Sequence, residues 1–77
     1  MDALDEIRLR MKFAMLEAQL SLREIESDAL RREINSPLTS LERRNEAWEC
    51  FDAAQSERAN LITELDELRR TYPNVHP

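Results

Sequence analysis

The sequence predicts an all-α fold: an antiparallel helical hairpin, expected to pair into a dimeric four-helix bundle. Three observations carry this expectation. Apolar residues recur at steps of three and four along two long stretches, parted by a single break at Asn35-Ser36-Pro37. Glycine is absent, while the good helix formers Ala, Leu, Glu and Arg abound. The first stretch also carries apolar residues on two opposite sides, one side more than a two-helix hairpin needs.

The first helix is expected over residues 2–35. Asp2 is placed to cap its start, and Asp5 and Glu6 set negative charge in the first turn, where the macrodipole favours it. Arg31 and Arg32 set positive charge near the other end. Pro37 lacks an N–H and restricts the residue before it, so the helix cannot run on smoothly. Asn35 is expected to take the left-handed cap that glycine usually fills.

A loop at 36–39 leads to a second helix over about 40–71. Thr39-Ser40-Leu41-Glu42 reads as a capping box with Thr39 as N-cap. Ser36 as N-cap with Pro37 in the first helical position is the competing register. The main stripe of this helix is Ala47, Cys50, Phe51, Ala54, Leu61, Leu65, Leu68 and Tyr72. Arg58 interrupts it, either snorkelling at the stripe edge or pairing with an acid of the first helix to set register. Glu6 with Arg10 and Asp66 with Arg70 are spaced as favourable i,i+4 pairs. Pro73 stops the helix, and residues 73–77 are expected to form a flexible tail. Two helices of equal length with a short connection pack antiparallel.

The two faces of the first helix receive different assignments. Leu4, Ile7, Met11, Ala14, Met15, Ala18, Leu22, Ile25 and Ala29 form the longer stripe, expected to pack on the second helix. Leu9, Phe13, Leu16 and Leu20 lie opposite and are expected to form the interface with a second copy, its dyad near Phe13 and Leu16. The alternatives for this face are packing beneath the loop or tail of a monomer, or docking a different protein. Leu30, Ile34, Leu41 and Trp48 are candidate partner-docking residues, with Trp48 equally suited to flank the hairpin core.

No site chemistry is visible. Cys50 is the only cysteine, so no internal disulfide exists, and one cysteine with one histidine, His76, falls short of a four-ligand zinc site. Nucleophilic catalysis needs a nucleophile beside a base, yet Cys50 sits on the core stripe and His76 in the tail. A glycine-rich phosphate loop cannot form without glycine. The chain is therefore read as a non-enzyme without cofactor or metal. Its net charge of −5 is spread over both halves: eight acids against six bases in residues 1–35, and eight against five in 36–77. Without a basic stripe, nucleic acid is not an expected partner. No apolar run is long enough to cross a membrane. The acidic N-terminus, the lack of an export signal and the free thiol favour the cytoplasm.

In layout the chain resembles small plasmid copy-control proteins of the Rop type and small co-chaperones of type III secretion needle subunits, without a shared residue motif. RNA binding of the first kind would need polar and basic residues where Leu9, Phe13, Leu16 and Leu20 stand. The expected function is a homodimeric, non-enzymatic interaction module that binds and regulates, inhibits or chaperones a larger protein. A structural or assembly subunit of a larger helical complex is the alternative.

Overall fold

The computed structural model describes residues 2–75; Met1, His76 and Pro77 lie outside the described residues. It is a hairpin of two helices, α1 (Ala3–Asn35) and α2 (Leu41–Thr71), packed against each other in a rod of 55 × 15 × 13 Å. The long dimension follows from α1 alone, since 33 residues at about 1.5 Å each span roughly 50 Å.

Local chemistry explains each boundary. Asp2 is extended (φ −64°, ψ 146°), and its carboxylate accepts from the Leu4 N–H at 3.3 Å. The hairpin turn then manages without glycine, and no described residue has positive φ. Asn35 does not take the left-handed cap; the chain leaves α1 through an extended Ser36 (φ −74°, ψ 129°). The Ser36 N–H donates to the Glu33 carbonyl at 3.3 Å, and side chains meet further carbonyls of the helix end and the turn. The Thr39 hydroxyl donates to the Glu33 carbonyl at 2.7 Å, and Arg44 Nη2 donates to the Ser36 and Thr39 carbonyls at 3.2 and 3.3 Å. Thr39 is thus the lid on α1 and not the cap of α2. That cap is Ser40, whose Oγ accepts from the Arg43 N–H at 3.2 Å.

Glu33 and Arg43 clamp the two helices beside this turn. Arg43 donates through Nε and Nη2 to the Glu33 carboxylate, the latter at 3.0 Å, and Nη1 reaches Glu46 at 3.4 Å. The hydrogen bond from Arg43, reinforced by its charge, holds the Glu33 carboxyl below its ordinary value of 4.5 despite some desolvation. A carboxyl lowered in the folded state stabilises above its ordinary value, and that contribution is lost as pH falls through the lowered one. Glu33→Gln is therefore expected to lower the thermal midpoint at neutral pH. The gap to wild type should close on acidification below 4.5. An equal gap at neutral and strongly acid pH would show that the clamp does not titrate through Glu33.

The core reverses the expected use of α1. Phe13 and Leu16 are buried against Leu65 and Val75, with Leu9, Leu20, Leu61, Leu68 and Tyr72 packed around them. Near the turn a second cluster joins Leu30, Ile34 and Ala47, with Phe51 alongside. The α1 seam therefore runs Leu9, Phe13, Leu16, Leu20, Arg23, Ser27, Leu30, Ile34, stepping by four and three without a break, and every member is buried or half-buried. The α2 seam runs Arg44, Ala47, Phe51, Ala54, Arg58, Leu61, Leu65, Leu68, Tyr72 with the same alternation and the same burial. A strict three-four alternation in both helices is the signature of a coiled-coil seam. Ala47 and Ala54 are almost wholly buried, and the small side chain of Ala47 makes room for Leu30 and Ile34 of α1.

Polar residues occupy the middle of the seam. Arg23 Nε forms an ion pair with Glu57 at 3.0 Å, and Arg58 Nε forms one with Glu24 at 3.6 Å. Each arginine thus reaches the acid next in sequence to the other arginine. Half-exposed pairs of this kind contribute only about 0.2–1 kcal/mol each. Their larger effect is on register, because sliding one helix by a turn separates both pairs at once and brings Arg23 or Arg58 into an apolar cluster. Between them the Ser27 hydroxyl is buried without a hydrogen-bond partner.

Candidate interaction surface

The four residues expected to bind a second copy, Leu9, Phe13, Leu16 and Leu20, belong to the intrachain core. That contact is therefore corrected: α2 already occupies their face. Leu30 and Ile34, candidate docking residues, are likewise buried in the cluster near the turn. The physical reason is size. The face chosen by α2 carries Phe13 and three leucines, which bury more apolar area per turn than the longer stripe with its three alanines.

The longer stripe is left bare. Leu4, Ile7, Met11, Met15, Leu22 and Ile25 are each between 52% and 66% exposed, and Ala14, Ala18 and Ala29 between them are exposed as well. These positions project from the side of α1 opposite its seam, since residues such as Met11 and Phe13, two apart, differ by about 200° around a helix. The row is continuous from the first turn of α1 to the last but one.

A smaller apolar patch caps the turn end. Leu38 is 94% exposed and Leu41 71%, while Trp48 is half exposed and meets Phe51 edge to face at 5.7 Å. Trp48 thus flanks the core through Phe51 and keeps its outer side exposed, as Leu41 is.

Cys50 is exposed and does not belong to the α2 stripe, because Phe51 one position later turns inward. No group of three or more His, Cys, Asp or Glu side chains converges on a possible metal position among the described residues. No described helix is long and apolar enough to cross a membrane. Arg58 takes the ion-pair role, half exposed, and Glu6–Arg10 pairs at 2.8 Å as spaced. Asp66 instead meets Arg69 at 3.8 Å, one residue earlier than Arg70. The tail expectation is corrected in part: Val75 is buried in the core, tied by its N–H to the Tyr72 carbonyl at 3.2 Å. His76, placed in the tail, lies outside the described residues.

Ordering α1 without its own partner on this face leaves an apolar strip whose role rests on residues alone, for no protein-family model, curated protein or solved structure matches the chain.

Proposed function

We propose that the chain is a non-enzymatic protein-interaction module and that the bare face of α1 is its binding surface. The observation that carries this reading is the row of six large apolar side chains, continued through exposed alanines, on one side of one helix. Scattered exposed apolar residues are ordinary, but contiguous ones mark surfaces that proteins bury in contacts. Leu4, Ile7, Met11 and Met15, then Leu22 and Ile25, have the spacing of anchors by which an amphipathic helix enters an apolar groove or pairs with another helix. The methionines add side chains that adapt to irregular partner surfaces. In this reading α2 is the support. It holds α1 helical by burying the opposite face, so that the binding face is presented already ordered. The acidic balance of the chain turns it away from polyanions and toward protein ligands. The module would bind and regulate, inhibit or chaperone a larger protein.

Tagged wild type, the face variant Met11→Glu/Ile25→Glu and the α2 surface variant Asn60→Glu, each used as bait in cells of the source organism, test this reading. Proteins retained by wild type and by Asn60→Glu are expected to be lost with the face variant. An identical set on all three baits would overturn the assignment of the surface.

A further inference from the structure

We infer that the bare face of α1 is self-complementary and that its occupant is α1 of a second copy, running antiparallel with the dyad at Ala18. The inference rests on the reading of this face as an interaction surface, and it puts a second copy there in place of a larger protein. Two features of the face carry it: the order of large and small residues, and the charges along its edges.

The two edges are marked by charge in the same way. Arg8 and Glu26 are eighteen residues apart, about five whole turns, so they stand on one edge of the stripe. Arg10 and Asp28 stand eighteen apart on the other edge. In each of these two pairs the base lies in the first half of the helix and the acid in the second; Arg32, a further exposed base beside the second edge, falls at the level of Leu4 of the second copy and meets no like charge there. When two helices pair antiparallel about a dyad, like edges meet with their ends reversed. Arg8 then comes beside Glu26 of the second copy and Arg10 beside its Asp28, four opposite-charge contacts per dimer. A parallel pair brings unlike edges together at equal height, setting Arg8 against Arg10 and Glu26 against Asp28, four repulsive contacts. The charges therefore choose the antiparallel arrangement and reject the other. Three of the four side chains hold neighbours within α1: Arg10 with Glu6 at 2.8 Å and Asp28 with Arg31 at 3.8 Å, both pairs exposed, and Glu26 with the half-buried Arg23 at 2.7 Å. Exposed pairs of this kind exchange partners at little cost.

The same register fits the apolar residues. With Ala18 on the dyad, Ile7 falls opposite Ala29, Ala14 opposite Leu22 and Met11 opposite Ile25, all of them exposed in the single hairpin. Large meets small at two of these levels, and the alanines at the centre allow close approach. Six large side chains at roughly 100 Å² each from both copies bury on the order of 1,200 Å², the lower edge of stable interfaces. The dimer places both α1 helices inside and both α2 helices outside, four helices in one layer.

Sedimentation equilibrium at tens of micromolar tests the inference, with circular dichroism to confirm that each variant keeps its helices. Wild type is expected at twice the mass of one chain. Met11→Glu is expected to weaken the dimer at least tenfold. So are the exposed charge swaps Arg8→Glu/Arg10→Glu and Glu26→Arg/Asp28→Arg, each taken alone. Mixing the two charge-swap variants should restore association to near the wild-type strength, because every edge contact becomes opposite again. A mixture no tighter than its separate components overturns the antiparallel register. A wild-type monomer overturns the homodimer. If the bait experiment with such a monomer still depends on the face, the interaction reading stands without it; if the face variant changes nothing there either, both fall.

Discussion

Phe13→Ala is expected to cost about 3–5 kcal/mol and to leave most of the chain unfolded. Phe13 is only 1% exposed and packs with Leu16, Leu65 and Val75 at the centre of the larger core cluster. Removing the ring leaves a void between two helices that are fixed at both ends, by the turn and by the docked Val75, so the site has little room to collapse. A chain of this size obtains roughly 3–5 kcal/mol from its whole core, and one such deletion is comparable with all of it. Thermal and urea denaturation followed by circular dichroism measure the loss. Met11→Ala, two residues away on the bare face, should stay within about 0.5 kcal/mol when measured in dilute solution, where self-association contributes nothing. Equal losses for the two variants would mean that the faces of α1 have been assigned the wrong way round.

Val75→Asp is expected to destabilise by about 1.5–3 kcal/mol, the value of burying one valine side chain. The cost has a ceiling, because the segment after Tyr72 can peel away and hydrate the new carboxylate instead of forcing it into the core. The N–H of Val75 holds the Tyr72 carbonyl, which folds the chain back over Leu65 and Phe13. Loss of that turn should also raise amide exchange in the last turn of α2, near Leu68 to Thr71, before it affects the turn end near Ala47. Unchanged denaturation together with unchanged exchange would show that Val75 contributes nothing to the core.

Some of this was legible from residues alone because it depends on local chemistry. Asp2, Pro37 and Pro73 act on the backbone within a few residues of themselves, and they set both helix ends to within one residue of the expected limits. The cap of α2 was one residue off, since Thr39 and Ser40 both carry hydroxyls and only the folded turn reveals that Thr39 bonds back to Glu33. The left-handed Asn35 failed for a related reason: the Glu33 carbonyl is met by the Ser36 N–H and, from across the turn, by the Thr39 hydroxyl, so no left-handed cap is needed. Val75 lay within five residues of the end beside Pro and Asn, where nothing local signals docking.

The choice between the two faces of α1 was of another kind. Both runs have three-four spacing, so periodicity alone cannot rank them. The true seam was hidden by Arg23 and Ser27, which break its apolar character between Leu20 and Leu30, while the bare stripe reads as continuous through its alanines. Arg58 in α2 was the available clue. An interruption in one helix that faces an interruption in the other joins the two halves of each seam into one, and the Arg23–Glu57 and Arg58–Glu24 pairs fill that level.

The sequence by itself determined that this protein is two long helices joined by a short turn, because helix formation and its termination are decided within a few residues. Only the tertiary structure decided which side of α1 is core and which is surface, because that depends on how the bulky residues and the polar interruptions of the two helices match across the contact. The apolar face offered outward is the one α2 left behind.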